Sequence, residues 1–120
     1  MDADTFIGRV RFSAAGLVPC VVQDVSTSEV LMVAWANEAA LREMFRLGET
    51  VFWSRSRREL WHKGRTSGNT QRVVEARLDC DADTLLLKVE CAGPACHTGE
   101  VSCFREAACD GAIWERGSTD

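Results

Sequence analysis

The stretch RVVEARLDCDADTLLLKVEC, residues 72–91, decides the fold. Both of its ends alternate with the period of two that sends successive strand residues to opposite faces. In residues 72–78, Val74, Ala76 and Leu78 share one face, while Val73, Glu75 and Arg77 share the other. In residues 84–91 the core-facing set is Leu85, Leu87, Val89 and Cys91. Between them, Asp79-Cys80-Asp81-Ala82-Asp83 has the composition of a turn. The stretch therefore predicts an antiparallel hairpin with one apolar face.

Upstream, residues 16–25 read as a strand in which Pro19 is tolerated at the start or at an edge. Ser26-Thr27-Ser28 supplies a turn, and residues 29–36 read as a second strand, buried on both faces. The two form another hairpin. Asn37 is a helix N-cap, and Glu38 puts a carboxylate in the first turn, where the helix dipole favours it. Ala40, Leu41, Met44, Phe45 and Leu47 then recur at helical spacing as a core-facing stripe, and Gly48 is a C-terminal stop.

Residues 50–54 read as a strand. The run RSRRELWHKGRTSGNTQ that follows lacks either periodicity and reads as a long polar loop. Such a loop in a small domain is functional or disordered, and Trp53 and Trp61 argue against disorder. Downstream, Gly93-Pro94 breaks the chain and residues 101–105 read as a last short strand. From Asp110 onward the sequence is polar apart from Ile113 and Trp114, so a loose tail over residues 110–120 is expected. The fold expected is a single α+β domain over residues 1–120, mostly antiparallel sheet with one principal helix.

With 46% hydrophobic and 27% charged residues, the 120-residue chain has the composition of a globular domain. A formal net charge of −4 argues against a general nucleic-acid binder, which needs an excess of Lys and Arg. The segment MDADTFIGRVRF has no apolar h-region, and no apolar run reaches the roughly 20 residues of a membrane span. The expectation is a cytoplasmic protein that does not engage membranes and whose six cysteines are thiols serving as ligands or core residues.

Residues 79–103 hold four of those cysteines, three alternate aspartates and one of two histidines. Carboxylates suit a hard ion such as magnesium, and thiolates a borderline one such as zinc. In an extended strand Asp79 and Asp83 would lie about 13 Å apart, so Asp79, Asp81 and Asp83 share an ion only if the chain curls at the hairpin tip. The bland alternative is a solvated turn. An EF-hand is rejected, because Thr84 stands where that loop requires glycine.

Cys80, Cys96 and Cys103 lack the paired spacing of a zinc finger. Cys96 nevertheless sits in a Gly/Pro segment and Cys80 among aspartates, neither of them an apolar setting. Three thiolates with an open fourth position make a catalytic zinc arrangement, in which bound water titrates near pH ~7. Cys20 and Cys91 read as core. His97, beside Cys96, reads as a ligand, a general acid/base or a structural group.

The polar loop supplies a substrate class. Arg55, Arg57, Arg58, Lys63, Arg65 and Arg72 cluster in an acidic chain, with hydroxyls at Ser54, Ser56, Thr66 and Ser67. Gly64 and Gly68 allow close backbone approach. This is phosphate-binding chemistry, with a solvated loop as its alternative. His62 reads as a substrate contact or a structural group, and Trp61 or Trp53 as a stacking surface or as core. A zinc nucleobase deaminase is disfavoured, because its H-x-E and P-C-x-x-C signature is missing.

Four ordered segments carry a resemblance: VLMVAWAN, FWSRSRRELWHKGRTSGNTQ, LDCDADTLLLKVE and GPACHTGEVSCF. Over residues 12–104 the chain resembles the phosphoribosyl-AMP cyclohydrolase family of histidine biosynthesis. The resemblance implies hydrolytic opening of the adenine ring of 1-(5-phosphoribosyl)-AMP between N1 and C6. It implies an intertwined homodimer with zinc at the subunit interface, held by Cys80 of one subunit and Cys96 and Cys103 of the other. It implies magnesium at Asp79, Asp81 and Asp83, and a catalytic role for His97. Arg55, Arg57, Trp61, His62, Lys63, Arg65 and Ser67 are the expected contacts to the phosphorylated nucleotide. Ala36 and Phe52 depart from the family's frequent Met and Tyr, both at packing scale. A non-catalytic, zinc-stabilised module for a phosphorylated ligand is the competing class.

Overall fold

A computed structural model describes residues 1–109. The elements are α1 (Ala3–Arg9), β1 (Val18–Asp24), β2 (Val30–Ala36), α2 (Glu38–Leu47), β3 (Val51–Ser54), β4 (Glu59–His62), β5 (Gln71–Leu78) and β6 (Leu85–Cys91). Four strands form one sheet in the order β2-β1-β6-β5, and β3 and β4 form a separate two-stranded sheet. Both expected hairpins are present: β1 pairs antiparallel with β2, and β5 with β6. The junction between them is parallel, with Cys20 opposite Leu85 and Val22 opposite Leu87. The class is α+β with a mostly antiparallel sheet. Among the described residues, no helix is long and apolar enough to cross a membrane.

The core follows from alternation on the two central strands. Val18, Cys20 and Val22 of β1 and Leu85, Leu87 and Val89 of β6 are fully buried on one face. Ala40, Leu41 and Met44 of α2 and Phe52 of β3 belong to the same cluster. Burying each Leu or Val side chain stabilises the fold by roughly 1.5–3 kcal/mol. The caps of α2 are as its sequence dictates. Asn37 accepts a hydrogen bond from the Ala40 amide at 2.8 Å, and Gly48 closes the last turn at φ 76°.

The structure corrects the strand readings at several points. In β5 a bulge lies between Val73 and Glu75, which face Val89 and Lys88. One extra residue shifts the alternation by one. Val73 therefore joins Ala76 and Leu78 against the core, and Val74 is 45% exposed. Strand β2 is not buried on both faces, because Val33 is 48% exposed. The apolar stripe of α2 ends early: Leu47 is exposed, and Phe45 packs edge-on against Phe6 at 5.6 Å.

That contact comes from α1, a second helix absent from the expected fold. Asp2 caps it by accepting from the Thr5 amide at 2.8 Å, and Arg42 reaches Asp4 at 2.6 Å. Strand β4 lies inside the stretch read as loop, reached through a turn with Arg58 at φ 56°. The expected strand at residues 101–105 does not form. Instead the Cys103 amide donates to the Leu31 carbonyl at 2.7 Å, and the Ser102 hydroxyl donates to the Val30 carbonyl at 2.8 Å. The segment thereby covers the start of edge strand β2. The tail expected to be loose lies outside the described residues.

Two substitutions test the bulge. Val73→Ala should cost at least about 1 kcal/mol more in urea unfolding than Val74→Ala. Uninterrupted alternation predicts the reverse order.

Candidate substrate cleft and thiol corner

The β3–β4 hairpin and the turn after it enclose a cleft of about 630 Å³, lined by Arg57, Trp61, His62, Lys63, Arg65 and Ser67 among others. Six of the seven expected substrate contacts thus meet in one place. Arg55 does not join them. Its guanidinium lies 4.8 Å from the Trp35 ring centre, in an adjoining hollow that also includes Trp53 and Trp61. Trp61 borders both spaces and packs its ring 5.7 Å from Phe52.

Backbone contacts hold the cleft loop against the segment that carries Cys96. Gly64 has φ 82°, and a Cβ there would sit 2.3 Å from the Asn69 carbonyl carbon and the Thr70 nitrogen. A Cβ at Gly93 would meet Asn69 Oδ1 at 2.2 Å. The two segments approach closely because each has a glycine facing Asn69. The Ala92 amide donates to the Thr70 carbonyl at 2.9 Å, and Lys63 Nζ donates to the Ala95 carbonyl at 2.5 Å. Lys63 therefore belongs both to the cleft and to the segment leading into Cys96.

Cys96 is buried, with its sulfur 3.1 Å from Thr98 Oγ1. The Thr98 hydroxyl and then its backbone amide pull the Cys96 thiol below the usual cysteine range, and the neighbouring Cys103 thiol adds to the effect. Cys103 moves the other way, raised first by burial and then by Cys96. Burial pushes Cys20 up to about 12, so it is an inert core residue, as its sequence setting implied. Cys91 is partly buried and also raised by burial. His97 is exposed beside this thiol corner.

The aspartates curl together. Ala82 takes φ 64°, the Asp83 amide donates to Asp79 Oδ1 at 3.0 Å, and the Arg11 amide donates to the Ala82 carbonyl at 2.8 Å. One carboxylate oxygen from each of Asp79, Asp81 and Asp83 then lies within 4.8 Å of the others. The separation expected of an extended strand is gone, and the donor set fits a hard cation.

Cys80 rides on this tip, exposed. Strand β6 separates it from the segment bearing Cys96 and Cys103, a distance of roughly 20 Å at ordinary strand rise. Within one chain, two of the three expected thiols converge and the third does not. Two other contributors were missed in the sequence. Thr98 has a signal, a hydroxyl two residues after Cys96. Glu49, which lies 2.7 Å from His62 Nε2, has none, because only the β3–β4 register brings the two together.

These features define a small α+β domain with a cationic cleft tied to a thiol corner and an acidic tip at the sheet's far end. Residues 32–105 match the model of the family described as phosphoribosyl-AMP cyclohydrolase. That span runs from β2 through Cys103 and contains the cleft, both thiols and the aspartates. A phosphoribosyl-AMP cyclohydrolase of Corynebacterium jeikeium is 57% identical over 80% of this chain and 76% of its own length. One from Thioalkalivibrio sulfidiphilus is 51% identical over 88% of this chain and 82% of its own. A histidine biosynthesis bifunctional protein of Caldanaerobacter subterraneus is 54% identical over 82% of this chain and 48% of its own length. The chain belongs to the phosphoribosyl-AMP cyclohydrolase family.

The thiol geometry has a measurable sign. Thr98→Val removes the main stabiliser of the Cys96 thiolate, so alkylation of Cys96 should require higher pH in zinc-free protein. Peptide mass spectrometry across a pH series reads the shift. Cys20 should stay unmodified throughout the folded protein's mildly alkaline range.

Proposed function

We propose that this chain hydrolyses 1-(5-phosphoribosyl)-AMP in histidine biosynthesis, opening its adenine ring between N1 and C6. Water adds to C6, the N1–C6 bond breaks, N1 gains a proton, and C6 becomes the carbonyl of a carboxamide. The product is a phosphoribosylformimino-aminoimidazole carboxamide ribotide. The observation that carries the proposal is the Lys63 bond to Ala95, which joins a phosphate-type cleft to the neighbouring thiols of Cys96 and Cys103 inside the family-matched span.

In this reading Arg57, Lys63, Arg65 and Ser67 bind phosphoryl oxygens, His62 contacts the same ligand, and Trp61 offers its face to a ring. Arg55 acts from the adjoining hollow. Asp79, Asp81 and Asp83 would hold magnesium. Cys96 and Cys103, with Cys80 of the partner subunit, would hold zinc. Zinc bound there supplies a Lewis acid that activates water near neutral pH. His97, exposed at the corner, is assigned proton transfer to the departing ring nitrogen.

The homodimer is part of the proposal, supported by the stranded position of Cys80. A symmetric pair supplies each thiol corner with the missing ligand from the other subunit's tip. The thiols favour a reducing cytoplasm, since none of the six cysteines is paired.

Three measurements test this reading. An ultraviolet assay with phosphoribosyl-AMP should show turnover that a zinc chelator stops and added zinc restores. Cys96→Ala should lose zinc and at least about 100-fold in activity, while Asp81→Asn should lose activity and keep its zinc. Mixing Cys80→Ala subunits with Cys96→Ala subunits should restore one working site per heterodimer. No turnover by folded, zinc-loaded wild type supplied with magnesium would leave a zinc-stabilised binding module. No recovery in well-formed heterodimers would remove the shared site.

A further inference from the structure

His62 lines the cleft, and its Nε2 lies 2.7 Å from Oε1 of Glu49, a residue outside the cleft lining. An ionised carboxylate can only accept, so Nε2 carries a proton whatever the charge on the ring. Among the described residues, Nδ1 has no hydrogen-bond partner.

We propose that Glu49 is a positioning residue for ligand binding: it clamps His62 through Nε2 and leaves Nδ1 as the atom offered to the phosphorylated nucleotide. The proposal rests on the cleft being the substrate site. Both partners stand on fixed backbone. Glu49 follows the Gly48 cap and bridges Arg72, and the Val73 amide donates to the Gly48 carbonyl at 2.9 Å. His62 ends β4 opposite Val51, and the next amide, that of Lys63, donates to the Thr50 carbonyl at 3.1 Å.

The side chains of His62 and Glu49 are 25% and 35% exposed. The pair is half-buried, and turning the ring would leave the Glu49 carboxylate without its donor. Glu43 of α2 also faces this ring, but it is engaged by Arg46. The other polar contacts of the cleft come chiefly from long Arg and Lys side chains with many rotamers. The clamped imidazole gives the ligand a point that is already oriented, and preorganisation of this kind raises affinity without touching the chemical step.

The test is a double-mutant cycle with wild type, Glu49→Ala, His62→Ala and the double variant. Each is assayed for KM, kcat and zinc content, and read by nitrogen NMR of labelled histidine. The chain has two histidines, so His97→Ala assigns the signals. Glu49→Ala should raise KM about tenfold, hold kcat within about threefold and keep its zinc. The double variant should be no worse than His62→Ala, because Glu49 acts only through the ring. The Nε2 resonance should shift between wild type and Glu49→Ala as its carboxylate acceptor is lost, and AMP should shift the Nδ1 resonance in wild type.

An unchanged KM in Glu49→Ala, or additive losses in the double variant, would overturn the positioning role. So would an Nδ1 resonance indifferent to AMP. Absence of wild-type turnover would defeat the assigned reaction instead, since the Nε2 shift and the AMP response are read without turnover.

Discussion

The parallel pairing of β1 with β6 is the constraint on which the rest of the molecule depends. It joins two antiparallel hairpins into one sheet and buries Val18, Cys20, Val22, Leu85, Leu87 and Val89 as a single apolar layer. Because the strands run the same way, the start of β6 lies beside β1 near Cys20, and its end lies beyond Asp24. The acidic tip is thus fixed at one end of the sheet and the segment leading to Cys96 at the other. A strand that is merely a core element in packing terms is also the spacer that keeps two kinds of donor apart.

At the Cys96 end, order comes from close backbone approach more than from side-chain bulk. Asn69 sits against Gly64 and Gly93, Thr70 bonds Ala92, and Lys63 bonds Ala95. Ser102 and Cys103 are fastened to the edge of β2. The cleft and the thiols are therefore joined in one framework, although forty residues of sequence separate Lys63 from Cys103. Chemistry that requires a ligand and a reacting group in register gains from such coupling, because misplacement by even about 1 Å is costly.

How much of this was legible depended on whether a signal was local. The two long hairpins, the capped helix and the core status of Cys20 and Leu87 follow from period and composition alone. The curl at Asp79 to Asp83 was readable as a condition, and the structure meets it through Ala82. The phase of β5 was not, since nothing in RVVEARL marks which valine is the extra one. Strand β4 has four residues, too few for periodicity to register, and it is ordered by pairing with β3. The helix α1 did carry a signal, Asp2 three residues before Thr5 with Phe6 and Ile7 following. The cleft residues were clustered in sequence and so could be grouped. Glu49 was out of reach, because a contact set by strand register leaves no trace in either neighbourhood.

On the proposed sharing of zinc between subunits, the distance between Cys80 and the neighbouring thiols of Cys96 and Cys103 has a thermodynamic side. A subunit that holds only part of a ligand set binds metal weakly by itself and strongly when associated, so metal occupancy and association are linked equilibria. For a site shared between subunits, diluting the protein acts as a chelator would, and free zinc acts as an assembly signal. In the proposed dimer each encounter of two subunits would complete two sites at once, so filling the first would hold the second in place. Metal loading would then rise more steeply with concentration than independent binding allows, and a lone subunit would be kept from capturing zinc it could not use.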